Sequence, residues 1–289
     1  MRVEVENLLG VQNELGESPV WHPREQTLYW VNFAAHPAIY RFAPQLSKLE
    51  VFPVGVPISA IGWRQSGGLI AATCSGIAFW EAGSGMQFLE NPEPSDPYTR
   101  LNDAAVDRQG RFWTGSMKVG ANTSSLFRLN ANQSMQRMDT GFIVSNGIGW
   151  SPDNQTCYFT DSLQHVIYAY DFDSQNGQIT NRRTFVDTSR EPGVPDGLTV
   201  DAQGGIWSAF CRGWKIIRYR PDGQKEFEVG LPVECPTSLA FGGPQLDQLF
   251  VTTSWGLIRE TERKDQPLAG NLLRVKTGYV GLPEPGYDR

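Results

Sequence analysis

Six oxygen-bearing side chains recur along this sequence, each four residues before a bulky apolar residue. Two are carboxylates, two are amides and two are hydroxyls: Glu17, Ser59, Asn102, Asn146, Asp196 and Thr237. Their apolar partners, here called anchors, are separated by 42, 43, 44, 50 and 41 residues and are Trp21, Trp63, Val106, Trp150, Val200 and Phe241. We call the six polar positions the ring positions. If they are equivalent, their side chains converge where the repeats meet.

Such convergence would place the carboxylates of Glu17 and Asp196 in one confined site. Two carboxylates in a narrow, low-dielectric channel repel each other unless a cation or a proton lies between them. Asn102 and Asn146 would add amide oxygens, and an all-oxygen donor set is typical of divalent metal ions. The remaining ring positions, Ser59 and Thr237, are expected only to hydrate the channel or to cap turns.

The elements that must hold these residues are strands. In each repeat an apolar run ends near the anchor, a turn containing Gly, Asn or Pro follows, and further β-branched or aromatic runs come after it. Six repeats of about four strands each predict an all-β six-bladed β-propeller with the metal site in its central channel. Near the start of the sequence, Val3 and Val5 alternate with charged residues. This alternation predicts a strand that pairs with the last blade and closes the ring.

Composition is consistent with this architecture. The chain has 289 residues, of which 40% are hydrophobic and 11% aromatic, and its 30 glycines and 19 prolines are spread along its length. We therefore expect a single propeller domain over residues 1–289. Cys74, Cys157, Cys211 and Cys235 form no CxxC pair and are expected to be reduced and mostly buried.

Charge and hydropathy limit the partners and the location. The net charge is −6 with no basic block, which gives no electrostatic support for nucleic acid or an anionic membrane as a partner. No segment reaches the ~20 apolar residues of a membrane helix, and the N-terminus lacks the apolar run of an export signal. The expected location is cytoplasmic.

Other polar residues show no catalytic pattern. The three histidines are isolated, without HxH or HExxH spacing, and there is no GxSxG sequence for a serine nucleophile. Asp107 and Asp201 follow strand ends and are expected to be solvated.

Several stretches resemble the gluconolactonase/regucalcin (senescence marker protein) family. They are GESPVW at 16–21, RLND at 100–103, SNGIGWSPD at 145–153, PDGL at 195–198, FGGP at 241–244 and PLAG at 267–270. The similarity runs in order from about residue 14 to residue 283.

The resemblance implies a six-bladed propeller and one divalent ion, either calcium, zinc, manganese or iron(II). It implies that Glu17, Asn146 and Asp196 hold the ion and that waters complete the site. Arg100 and Asn102 would contact a small-molecule sugar lactone, and Asp196 would also be the catalytic base. The chain departs from the family at Lys118, because family members often have an acidic residue just after the segment that ends here at Met117. It also departs in the loop after Trp207, which contains Arg212. These departures leave the preferred lactone open, and the oligomeric state is also open.

The resulting prediction is a metal-dependent hydrolase that opens aldonolactones, with the metal polarising the carbonyl and Asp196 acting as base. Two alternatives remain. One is a phosphotriesterase of the diisopropylfluorophosphatase type. The other is a calcium-binding regulatory propeller without catalysis, for which an arginine at position 100 beside the carboxylates has no evident purpose.

Overall fold

Six four-stranded antiparallel sheets form a closed ring of blades in the computed structural model, which describes residues 3–96 and 98–287. The innermost strand of every blade contacts the innermost strands of both neighbouring blades, including the first with the last. This arrangement confirms the predicted all-β six-bladed propeller. The inner strands surround the central channel.

Strand β1 (Glu4–Leu9) precedes the blades, and the first five blades are each formed by four consecutive strands. Blade one contains β2 (Gly16–His22), β3 (Thr27–Asn32), β4 (Ala38–Ala43) and β5 (Lys48–Pro53). Blade two contains β6 (Ile58–Trp63), β7 (Leu69–Thr73), β8 (Gly76–Glu81) and β9 (Gly85–Glu90). Blade three contains β10 (Arg100–Val106), β11 (Phe112–Met117), β12 (Ser124–Leu129) and β13 (Met135–Phe142).

Blade four contains β14 (Ser145–Trp150), β15 (Thr156–Asp161), β16 (Val166–Asp173) and β17 (Gln178–Asp187). Blade five contains β18 (Val194–Val200), β19 (Ile206–Cys211), β20 (Lys215–Tyr219) and β21 (Lys225–Gly230). Blade six contains β22 (Pro236–Gly242), β23 (Gln248–Thr253) and β24 (Leu272–Lys276) together with β1.

The ring is closed by strands that are distant in sequence. The strand order in blade six is β1-β24-β23-β22, and Val5 lies opposite Val275 in the antiparallel register. This pairing confirms the closing strand predicted near Val3 and Val5. It also removes two sheet edges that would otherwise be open to association with other chains.

The anchors recur because each of them fills an interface between blades. Six buried apolar clusters lie between neighbouring blades, and each contains one anchor that is at most 8% exposed. Trp21, for example, lies between blades six and one, where its ring stacks on Phe250 at a centroid distance of 6.0 Å. The period of the sequence is thus the period of blade-to-blade packing.

Helices are few and short. The structure contains a 3-10 helix at Pro44–Leu46 and an α-helix, α1, at Glu260–Arg263. Within the described ranges, no helix combines the length and the apolar character needed to cross a membrane. The four cysteines are unpaired and three are buried, as predicted, whereas Cys74 is exposed.

The prediction that Asp107 and Asp201 are solvated was wrong, because both carboxylates are fully buried. Asp201 Oδ2 accepts hydrogen bonds from Trp207 Nε1 at 2.8 Å and from Arg218 Nε at 2.8 Å. Asp107 Oδ2 likewise accepts from Trp113 Nε1 at 2.9 Å. In both blades the tryptophan is six residues after the aspartate, and its indole N–H needs an acceptor once it is buried.

A C-terminal segment, residues 277–287, covers the end of the channel at which the inner strands finish. Ala202 N donates to Val280 O at 2.9 Å in blade five, and Tyr287 N donates to Trp63 O at 2.8 Å in blade two. Residues 282–285 line one side of a cavity of about 90 Å³, whose other walls come from the inner strands and Arg108. The opposite end of the channel, where the inner strands begin, is called the mouth below.

Candidate active site

The six ring positions lie at the mouth, each as the second or third residue of an inner strand. Beside each of them the pairing with the next strand shifts by one residue. In blade one, Glu17 pairs with Val31 and Val20 pairs with Tyr29, so that three steps along β2 match two along β3. A bulge of this kind re-aims side chains. It occurs in every blade at the position where the sequence predicts convergence.

The structure brings Glu17 and Asp196 into one electrostatic cluster. Asp196 is only 7% exposed, and Glu17 is half-buried. Burial, followed by the negative charges of Asp196 and Asp103, raises the pKa of Glu17 well above its ordinary value. Burial, followed by the charge of Asp103, also raises the pKa of Asp196 well above its ordinary value. Each of these carboxyl groups therefore keeps its proton to a higher pH than it would in solvent.

Asp103 is a member of this cluster that the sequence did not assign. Its carboxylate is buried, and Oδ1 accepts a hydrogen bond from the backbone N–H of Ala104 at 2.8 Å. Burial raises the pKa of Asp103 to about 6. The signal that could have identified it is the RLND stretch, in which an acidic residue directly follows a ring position.

The amides of blades three and four form a continuous chain of hydrogen bonds with Arg100. Arg100 Nη1 donates to Asn102 Oδ1 at 2.8 Å. Asn102 Nδ2 donates to Ser145 O at 2.8 Å and to Asn146 Oδ1 at 3.3 Å. Asn146 Nδ2 in turn donates to Ser162 Oγ at 2.8 Å. The predicted substrate residues and a predicted metal ligand are therefore in direct contact.

Arg100 retains most of its hydrogen-bonding capacity. Its Nη1 also donates to Leu101 O at 2.9 Å, and its guanidinium carbon lies 4.4 Å from the centre of the Phe33 ring. Across residues 3–96 and 98–287, no carboxylate forms an ion pair with this side chain. A guanidinium carries five N–H donors, so those not used here can donate to a ligand.

The hydroxyls of Ser59 and Thr237 bond to oxygens of neighbouring strands. Ser59 Oγ donates to Ala72 O at 3.2 Å on the adjacent strand. Thr237 Oγ1 donates to Gly16 O of blade one and lies 2.9 Å from Thr252 Oγ1. Both side chains are buried and bonded, so the carboxylates and amides are the ring side chains considered for binding a ligand.

Two cations near the mouth have other partners. Lys118 Nζ forms an ion pair with Asp96 Oδ2 at 2.6 Å. Arg212 is exposed and reaches Leu257 O at 3.5 Å in the long loop between β23 and β24. These contacts show how each side chain is held.

The donor chemistry of the ring fits a hard divalent cation. In the described part of the chain, no group of three or more His, Cys, Asp or Glu side chains is arranged to hold a metal ion. The set predicted from the sequence contains two carboxylates, Glu17 and Asp196, and the amide of Asn146. Burial and neighbouring carboxylates raise the pKa of both carboxyl groups, so a proton or a cation close to them would stabilise the site.

Comparison with known proteins finds relatives that match nearly the whole chain. The chain is 36% identical over 276 residues to 6-deoxy-6-sulfogluconolactonase from Pseudomonas putida, covering 94% of each chain. It is 34% identical over 284 residues to regucalcin from Xenopus laevis, again covering 94% of each. The solved structure of a luciferin-regenerating enzyme, 28% identical, superposes with a TM-score of 0.93 over 100% of both chains. Residues 15–255 match the SMP-30/Gluconolactonase/LRE-like region, and the chain belongs to that family.

Proposed function

We propose that this protein is a metal-dependent hydrolase that opens sugar lactones, with aldonolactones as its substrate class. One observation carries the proposal: the cluster of Glu17 and Asp196 shares the channel mouth with an arginine, Arg100, that has no ion-pair partner in the described ranges. Two further findings support the proposal. The chain belongs to the SMP-30/Gluconolactonase/LRE-like family, and it is similar to a protein named as a sulfogluconolactonase.

Glu17, Asn146 and Asp196 would hold one divalent ion, either calcium, zinc, manganese or iron(II), through oxygen atoms. When bound, the ion would withdraw electron density from the lactone carbonyl and stabilise negative charge on its oxygen. The residues on three separate blades are held by rigid strands, which keeps the donor atoms in place before a ligand arrives.

Asp196 would act as the base. Its carboxylate accepts a proton from the attacking water while the water oxygen forms a bond to the carbonyl carbon. The ring C–O bond then breaks, and the same proton is returned to the departing alkoxide to give the open hydroxy acid.

Arg100 and Asn102 would orient the sugar. Both N–H groups of Asn102 are used by Ser145 and Asn146, so its free capacity is one lone pair on Oδ1. Arg100 supplies the remaining donors and can hold hydroxyl oxygens of the substrate. Of these two residues, Arg100 would therefore provide most of the substrate contacts.

The test is acid release from a panel of aldonolactones by the metal-stripped protein, with and without each of the four ions. Hydrolysis that depends on added metal is the expected result. A phosphotriester in the same panel tests the alternative phosphotriesterase activity. Absence of lactone turnover with every ion would overturn the proposal.

The donor set also favours a second candidate, a calcium-binding propeller without catalysis, since two carboxylates and an amide oxygen are typical calcium ligands. Saturable calcium binding together with no turnover of any lactone would favour this candidate over the hydrolase.

A further inference from the structure

An amide ligand poses an orientation problem that a carboxylate does not. Asn146 can present to the channel either its oxygen, which can bind a cation, or its NH2 group, which cannot. The two orientations have the same shape, so only the surrounding hydrogen bonds distinguish them. If Asn146 is a metal ligand, as the proposed function requires, something must hold its oxygen toward the ring.

The hydrogen-bond chain through Asn146 is fixed in direction at both ends. At one end, Arg100 can only donate, so the Asn102 oxygen faces Arg100 and the Asn102 NH2 group faces Asn146. At the other end, the carbonyl oxygen of Pro195 can only accept, and Ser162 Oγ donates to it at 2.6 Å. Because the Ser162 hydroxyl proton is used in that bond, Oγ can only accept from Asn146 Nδ2, at 2.8 Å.

We propose that Ser162 is a positioning residue that keeps the Asn146 oxygen directed at the metal site. The inference rests on the proposed function, because it concerns a ligand of the proposed ion. Ser162 also connects two ligand-bearing strands, since it accepts from Asn146 on β14 and donates to the residue before Asp196 on β18.

The Ser162 backbone is held independently of its hydroxyl. Its N–H donates to Val144 O at 3.1 Å, and its carbonyl accepts from His165 N at 3.2 Å in the turn after β15. The residue is only 3% exposed, so water does not easily replace a lost hydroxyl. Loss of the hydroxyl would leave the Asn146 N–H and the Pro195 carbonyl without this partner while the turn itself persists.

Calorimetric titration of the metal-stripped protein with Ca²⁺ and with Mn²⁺ tests the proposal. Ser162→Ala should weaken the binding of both ions by about 10-fold or more, the usual effect of removing a group that orients a ligand. Ser162→Thr retains a hydroxyl and should stay within a few-fold of the parent. Ser116→Ala is the matched control. It removes another buried hydroxyl, which among the described residues bonds only the Ser125 backbone, and it should leave the affinity unchanged.

Repeating the Ser162 substitution in a second variant distinguishes a loss of Asn146 orientation from a general disturbance of the site. Asn146→Asp replaces the amide by a carboxylate whose two ends are equivalent, so orientation no longer matters. In that background Ser162→Ala should change the affinity by no more than about two-fold. An equal loss in both backgrounds, or an unchanged affinity in Ser162→Ala alone, would overturn the positioning role.

A readout without metal completes the test. The side-chain NH2 resonances of Asn146, assigned by their loss in Asn146→Asp, should exchange slowly with solvent in the parent and rapidly in Ser162→Ala. Rapid exchange in the parent would overturn the inference. A parent that protects these protons but binds no divalent ion would overturn the proposed function and leave the orientation of Asn146 established.

Discussion

Glu17 and Asp196 lie near the starts of the inner strands of blades one and five, and burial, followed by the negative charge of Asp196, raises the pKa of Glu17. A carboxyl group whose pKa is raised by folding binds more protons in the folded than in the unfolded state. The stability that it contributes is present below its ordinary pKa and is lost as the pH rises through the raised value. The protein without metal therefore carries a local electrostatic cost at neutral pH, and a divalent cation would remove it.

Replacing Glu17 should reveal both sides of this relationship. Glu17→Gln removes one negative charge, so we expect weaker divalent-ion binding but a melting temperature a few degrees higher in the metal-free protein at pH 7. Calorimetry and thermal unfolding measure the two effects. Glu81→Gln, on the exposed end of β8, is the control and should change neither. An unchanged affinity in Glu17→Gln would remove this residue from the ligand set.

Arg100→Ala should reduce lactone turnover without removing the metal. Loss of charged hydrogen bonds to substrate costs about 1.5–3 kcal/mol, which corresponds to roughly 10- to 100-fold in kcat/KM. Elemental analysis should still find one ion per chain. Arg183→Ala, in the exposed ion pair of blade four, is the matched control and should keep parent activity. Loss of the ion in Arg100→Ala would instead show that the arginine supports the metal site.

Asp196 has two proposed roles, and an amide can fill only one of them. Asp196→Asn keeps an oxygen donor for the ion but has no basic carboxylate. At saturating metal, turnover should fall on the order of 10²-fold or more, the range expected for loss of a general base. Near-parent turnover at full metal occupancy would place the base elsewhere.

Glu284 should make stability depend on pH near neutrality. Burial raises its pKa to about 7, against an ordinary value of 4.5. Because the folded pKa is raised, the contribution of this group to stability is fully present below about 4.5 and is lost as the pH rises through about 7. Urea unfolding between pH 5 and 8 should therefore show a smaller loss of stability in Glu284→Gln than in the parent. Parallel pH profiles for the two proteins would contradict this assignment.

The blades could be predicted from sequence because the anchors have a simple physical task. Each blade must bury one face against its neighbour, so residues such as Trp63 and Trp150 recur with the period of the blades. The equivalence of Glu17 and Asp196 followed from the same period, since a residue four positions before an anchor is the second or third residue of an inner strand in every repeat.

The rest of the site depends on features that have no period. Asp103 joins the carboxylate cluster because the bulge in β10 lies at this point, and a regular strand would turn successive side chains to opposite faces. Ser162 comes from a turn between two other strands, where no repeated pattern indicates a role. Asp201 is buried because an arginine 17 residues later and a tryptophan six residues later both point their N–H groups at it. Such contacts depend on side-chain directions that strand patterns do not specify.

The pairing of Val5 with Val275 has a consequence for how this protein forms. Contacts between residues so distant in sequence are made late, because closing a very long loop costs chain entropy before any interaction rewards it. During synthesis β1 has no pairing partner until β24 has been translated. Until then the first five blades cannot be part of a closed ring. Completion of the propeller therefore has to await β24, and a nascent chain stalled before β24 would expose the unpaired edges of β1 and β23 to neighbouring chains and to chaperones.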